Sequence, residues 1–178
     1  MERKILFLIL AFVSSVAMAQ NWTKETFNEF KNNQDVALVL DLSEATVMDV
    51  KMADFPAYYS GKFSSNAKYA NMVLEKFKDS FSSFFYKKCK KNSVPVDGAR
   101  YVVTYKFKSI TTEGGFSGEY WVSDGGNISE KLEFSCKDGR WNDFEILLME
   151  NVEKFWKSVN GVGKKGNPYK DKLFPKQK

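Results

Sequence analysis

Apolar and polar positions follow two different periods along residues 22–160, and the change of period predicts the elements. An apolar residue at every second position is typical of a β-strand, and this pattern covers four segments: 36–47, 101–110, 116–123 and 128–136. A step of three or four residues is typical of an amphipathic helix, and two long segments show it: 66–90 and 142–160. Residues 22–32 predict a further short helix, and the Pro- and Gly-containing segment 48–66 predicts an ordered loop.

The order of these elements predicts an α+β fold. Residues 112–115 and 124–127, which read Thr-Glu-Gly-Gly and Asp-Gly-Gly-Asn, are suited to tight hairpins. Clean alternation between such turns indicates antiparallel strands with one face on the core. We therefore expect a two-layer sandwich of order β-α-β-β-β-α, in which a four-stranded, mainly antiparallel sheet carries both long helices on one face.

The first 19 residues have the pattern of a secretory signal peptide. A basic start, an apolar run and Ala17-Met18-Ala19 before Gln20 form the arrangement that signal peptidase cleaves. The run is too short to span a bilayer, and no later segment is apolar enough to do so. We expect cleavage near Ala19-Gln20, a periplasmic or secreted protein without a transmembrane segment, and one domain over residues 20–160.

The net charge of +5 comes from the end of the chain. Residues 161–178 hold six lysines against one aspartate, which predicts a basic, flexible tail. Nucleic-acid-binding domains instead concentrate basic residues on a folded surface. We therefore predict no nucleic-acid partner. The tail could dock on an anionic surface or remain solvated.

Several kinds of chemistry are disfavoured by the residue content. The chain has no histidine, the commonest acid–base side chain, and only two cysteines, so neither a metal site nor a cofactor is predicted. Ser65-x-x-Lys68 matches the nucleophile motif of penicillin-binding proteins and serine β-lactamases, but the companion Lys-Thr-Gly is missing. The near pairs of carboxylates suit helix ends and solvated strand faces better than a glycosidase cleft.

Aromatic side chains are the best candidate binding surface. Trp121 alternates out of phase with Tyr120, so it should point away from the helices, on the same face as Lys106. Tyr58 and Tyr59 lie in the predicted loop, and flat rings of this kind can stack on sugars or anchor a protein. We name Tyr58, Tyr59, Trp121 and Lys106 as candidate binding residues. The alternative is that Trp121 only packs on the stem of Lys106 or Lys131.

Cys89 and Cys136 are the only cysteines, in a chain with an export signal. Pairing is plausible in an oxidising compartment. Spacing alone leaves two readings open, a disulfide or two buried free thiols.

The order of elements also has a counterpart among known proteins. Five features follow one another along the chain: Leu40-Asp41-Leu42-Ser43-Glu44-Ala45-Thr46, an aromatic helix, the strand over 101–110, Val122-Ser123-Asp124-Gly125-Gly126, and Gly139 before the closing helix. This order resembles a group of small exported α+β proteins of unknown function from Gram-negative bacteria. The resemblance implies a periplasmic or secreted domain and brings no catalytic residues.

The sequence thus favours an exported, non-enzymatic binding domain at the cell envelope, with an envelope protein or a glycan as partner. The alternative is a small-molecule or glycan binder that uses the aromatic residues of the loop and the sheet. A second alternative is a serine-type hydrolase built on Ser65.

Overall fold

The computed structural model describes residues 22–63, 67–111, 115–136 and 144–162. The helices in this part of the chain are α1 (Lys24–Asn32), α2 (Phe55–Phe63), α3 (Ala67–Cys89) and α4 (Phe144–Asn160). The strands are β1 (Asp35–Asp41), β2 (Thr46–Val47), β3 (Val50–Lys51), β4 (Asn92–Ser93), β5 (Tyr101–Ile110), β6 (Phe116–Asp124), β7 (Asn127–Ile128) and β8 (Leu132–Cys136). The predicted leader 1–19 and residues 163–178 of the tail lie outside the described residues.

The eight described strands form one mixed sheet centred on β5. Strands β1 and β2 pair parallel with successive parts of one edge of β5, and β6 pairs antiparallel with the other edge. Strands β7 and β8 both lie antiparallel on the far edge of β6. Strand β4 extends the sheet beside β1 as a parallel strand, and β3 pairs antiparallel with β2.

The predicted four-stranded, mainly antiparallel sheet is therefore wrong, although the chain is α+β overall. Residues 36–47, predicted as one strand, form β1 and β2 with a turn between them. Asp41 ends β1 because its Oδ1 accepts hydrogen bonds from the backbone N–H of Ser43 at 2.9 Å and from the Ser43 hydroxyl at 2.6 Å. Strands β2, β3, β4 and β7 have two residues each, too few to show an alternating pattern.

The segment predicted as a loop over 48–66 contains helix α2. Pro56 falls in the first turn of this helix, where a missing N–H removes no intrahelical hydrogen bond. Phe55, Tyr59 and Phe63 follow at steps of four, and ring centroids of successive members lie 5.5 and 4.6 Å apart. Because Phe55 is buried, this row of rings fixes α2 to the core.

Helices α3 and α4 cover one face of the sheet, and aromatic rings fill the space between the layers. The Tyr105 ring on β5 lies 4.7 Å from that of Phe81 on α3 and 5.8 Å from that of Phe155 on α4. Gly118 on β6 allows this packing, because a Cβ there would lie 2.2 Å from the carbonyl oxygen of Lys106 and 2.7 Å from the ring of Phe134. No helix in the described part of the chain is long and apolar enough to cross a membrane.

Helix α1 is held to this core by a buried lysine just after α3. The Nζ of Lys91 donates to the backbone carbonyl oxygens of Phe30 at 2.8 Å, of Lys31 at 2.9 Å, and of Asn33. These carbonyls lie at the C-terminal end of α1, where helical partners run out and the helix dipole is negative. Lys91 is only 7 % exposed, so it acts as an internal cap for α1.

Candidate functional site

The open face of the sheet, opposite the long helices, carries Trp121 and Lys106 as the alternation predicts. The Lys131 ammonium lies 4.5 Å from the centre of the Trp121 ring and 3.6 Å from a carboxylate oxygen of Glu119. Lys106 pairs with Glu44 at 2.5 Å, and this hydrogen bond raises the pKa of the lysine. The stacking of Trp121 on a lysine is the alternative that the sequence left open. Trp121 and Lys106 are therefore engaged within their own surface.

Tyr58 and Tyr59 lie elsewhere in the molecule. Both are half-buried on α2, which packs against α3 and so lies on the helical side of the sheet. The Tyr58 hydroxyl accepts a hydrogen bond from Lys62 Nζ at 2.9 Å, and the Tyr59 ring packs between those of Phe55 and Phe63. The structure does not bring the two tyrosines together with Trp121 into one surface.

Cys89 and Cys136 are free, buried thiols. Cys89 ends α3 beside the start of β1, since Tyr86 in the preceding turn donates to the carbonyl oxygen of Val36. Cys136 pairs with Phe116, which in turn pairs with Ile110, at the far end of β5. A disulfide needs Cα atoms within about 7 Å. The disulfide left open by the sequence is therefore absent from the structure, and the reading of two free thiols describes it.

The cysteines are also poor nucleophiles. Burial raises the pKa of Cys89 to about 12, and burial likewise raises the pKa of Cys136. The thiolate is the reactive form of cysteine, so both side chains stay protonated and inert near neutral pH.

The structure adds no support for the Ser65-x-x-Lys68 motif or for metal binding. Ser65 lies outside the described residues, and Lys68 is exposed on α3. Among the residues that the structure describes, no cluster of three or more Cys, Asp or Glu side chains could hold a metal ion.

A polar cleft of about 520 Å³ lies where α1 meets the β6–β7 turn. Arg100 crosses it and pairs with Glu29 at 2.7 Å and with Asp124 at 3.0 Å. The hydrogen bond with Asp124, followed by that with Glu29, raises the pKa of the Arg100 guanidinium above its ordinary value. Because both carboxylates already engage Arg100, it serves to tie α1 to the sheet and is a poor site for an added anion.

A second cleft, of about 230 Å³, is mostly apolar and is lined largely by residues of α3. We call it the apolar cleft. Side chains from β2, α2, α3, β5 and α4 meet there, and β2 pairs with the last residues of β5. Its lining residues are Val47, Met48, Phe55, Val73, Leu74, Lys76, Phe77, Ser80, Ile110 and Leu148.

Several large apolar side chains on helices α2, α3 and α4 are exposed. Phe63 on α2, Met72 on α3, and Ile146 and Met149 on α4 are each between 42 and 55 % exposed. Met72 precedes Val73, and Met149 follows Leu148, so two of these side chains flank residues of the apolar cleft.

Among the residues that the structure describes, Lys76 is the one charged side chain that lines the apolar cleft. Its helical neighbours Glu75 and Lys78 pair with each other at 3.4 Å. Within the described ranges, no carboxylate pairs with Lys76 itself. The described lining of the cleft therefore combines an apolar wall with the ammonium group of Lys76, which has no ion-pair partner among the described residues, and the hydroxyl of Ser80.

The sequence did not single out this cleft. Leu74 and Phe77 belong to the apolar stripe of α3, which predicted a core, whereas Lys76 belongs to the polar side of that helix. Only the packing of α2 and α4 on α3 brings the two sets to one concave surface. No family model, no curated protein and no solved structure matches the chain, so the resemblance to small exported proteins stays a prediction.

Proposed function

We propose that the chain is an exported, non-enzymatic binding protein of the cell envelope that takes an apolar ligand in the apolar cleft. The observation that supports this most strongly is the cleft itself, a concavity of about 230 Å³ walled by aliphatic and aromatic side chains of five elements. Ligand sites are concave, mostly apolar and carry few polar groups. Export rests on the leader pattern over residues 1–19.

The cleft is a better candidate than the open face of the sheet. A binding surface gains most from apolar groups that leave water on complex formation. On the open face, Trp121 already packs under Lys131, and the lysines there are paired with Glu44, Glu119 and Glu133. A ligand on the open face would have to displace these contacts. A ligand in the apolar cleft would instead make new contacts with the apolar wall.

The proposal is tested by titrating the purified protein with the neutral fluorophore N-phenyl-1-naphthylamine, which brightens in apolar surroundings. We expect saturable binding by the wild type. Val73→Phe places a larger side chain in the cleft and should weaken binding at least tenfold. Ile146→Phe is the matched control, because Ile146 is 50 % exposed and outside the cleft lining, and it should bind as the wild type does.

Circular dichroism of both variants checks that the fold is intact. Absence of saturable binding by the wild type would contradict the proposal. So would an equal loss of binding in Val73→Phe and Ile146→Phe, because the fluorophore would then be reporting a surface other than the cleft.

A further inference from the structure

We infer that the natural occupant of the apolar cleft is a free, single-chain fatty carboxylate whose acid group pairs with Lys76. This inference rests on the proposed function and adds the chemical class of the ligand. Among the described residues, the ammonium group of Lys76 has no ion-pair partner and lies at the wall of a mostly apolar concavity.

Charge complementarity selects the head group. An ammonium beside an apolar wall favours a ligand that joins an anionic head to an apolar tail, because a carboxylate accepts a charge-assisted hydrogen bond there. The hydroxyl of Ser80, one helical turn from Lys76, lines the same cleft and can donate to a second carboxylate oxygen. A cationic amphiphile would bring two positive charges together and is disfavoured.

The volume selects the tail. Sites for drug-sized molecules usually have volumes of roughly 300–1,000 Å³, and the apolar cleft is smaller, at about 230 Å³. One unbranched chain fits such a space, whereas the paired acyl chains of a phospholipid do not. Met48 lines the wall, and its unbranched, flexible side chain can adapt to a chain of this kind.

The test compares three ligands that share a ten-carbon tail, namely decanoate, decanol and decyltrimethylammonium, as competitors of the bound fluorophore. The wild type should bind decanoate about three- to tenfold more tightly than decanol, and decyltrimethylammonium most weakly. The preference for decanoate should shrink as salt is added. It should also vanish below about pH 4, where the carboxyl group is protonated.

Lys76→Met should abolish the preference for decanoate over decanol while the fluorophore still binds. Lys87→Met is the matched control, because Lys87 is an exposed lysine of the same helix outside the cleft lining, and it should keep the preference. Lys76→Glu should reverse the order of decanoate and decyltrimethylammonium.

These outcomes distinguish the choice of a fatty carboxylate as ligand from the proposed binding function of the apolar cleft. Fluorophore binding without a preference for decanoate, or a preference that survives Lys76→Met, overturns the fatty carboxylate and leaves the binding site standing. Tight binding to phosphatidylglycerol vesicles with no decanoate competition points to a membrane surface and also overturns the inference. Failure of every ligand and of the fluorophore overturns the inference and the proposed function together.

Discussion

Replacing Lys91 with methionine should loosen the attachment of helix α1 to the rest of the described structure. The ammonium of Lys91 serves three carbonyl oxygens at the end of α1, those of Phe30, Lys31 and Asn33. It also lies 5.0 Å from the ring centre of Phe30 and 5.4 Å from that of Trp156. Methionine keeps an unbranched apolar stem as far as Cε and removes the charged ammonium donor.

The loss of stability can be estimated from the carbonyl oxygens that lose their donor. A buried acceptor that loses its donor costs about 1–3 kcal/mol. Here the hydrogen bond to Phe30 is buried and the other two are partly buried, so water can reach some of the freed carbonyls. Burial lowers the pKa of Lys91, because desolvation penalises the charged ammonium, and this penalty offsets part of the gain. We therefore expect Lys91→Met to destabilise the protein by about 2–4 kcal/mol.

Urea unfolding followed by circular dichroism measures this loss, and hydrogen exchange locates it. The amides of α1 should lose protection before those of β5, because α1 is the element that Lys91 anchors. Lys87→Met, an exposed lysine of α3, should change the free energy of unfolding by less than about 0.5 kcal/mol. A Lys91→Met variant as stable as the control, with α1 still protected, would refute the anchoring role.

Three further predictions concern backbone space and thiol burial. Gly118→Ala should lower the free energy of unfolding by about 3 kcal/mol or more, and with it the melting temperature, because the added Cβ would lie 2.2 Å from the Lys106 carbonyl oxygen; an unchanged melting temperature would contradict the close contact. Lys90→Gly should raise the free energy of unfolding in urea by about 0.5–1 kcal/mol, because Lys90 directly follows α3 and has a φ of 53°; a loss of stability would show that its side chain matters more than its backbone. The folded pKa of Cys89, about 12, exceeds that of an unfolded thiol, so its stabilisation is present at neutral pH and lost as pH rises. The stability advantage of the wild type over Cys89→Ala should therefore shrink by about 1.4 kcal/mol per pH unit above roughly pH 9, and a constant advantage in denaturant titrations would exclude this.

The long elements could be predicted because their patterns repeat many times. The helical period over 66–90 and 142–160 closely matches α3 and α4, and the alternation over 101–110 matches β5. The same phase places Trp121 opposite the helices. The short pairings could not be predicted, since a two-residue strand such as β2 is defined by its partner. The turn between β2 and β3 also lacks glycine, with φ of 51° at Met48 and 65° at Asp49.

The candidate site depended on contacts between distant segments. Tyr58 and Tyr59 looked available because Pro56 and Gly61 suggested a loop. Pro56 is tolerated in a first helical turn, however, and both tyrosines are partly buried against the core. The cysteines looked pairable because export permits disulfides, but the topology puts them at opposite ends of β5. Lys76 resembled any surface lysine of an amphipathic helix. Only the tertiary packing of α2 and α4 shows that it borders an apolar wall.

The parallel pairing of β1 with β5 has a consequence for the order in which the protein folds. Strands β5, β6 and β8 are close in sequence and can pair through short connections. Val36 of β1, in contrast, pairs with Tyr101, which lies 65 residues later in the chain. Closing so long a loop is entropically costly, and such distant contacts slow folding. As the chain is synthesised from its N-terminus, β1 emerges long before its partner. The segment Asp35–Asp41 therefore needs protection from aggregation until β5 has been made.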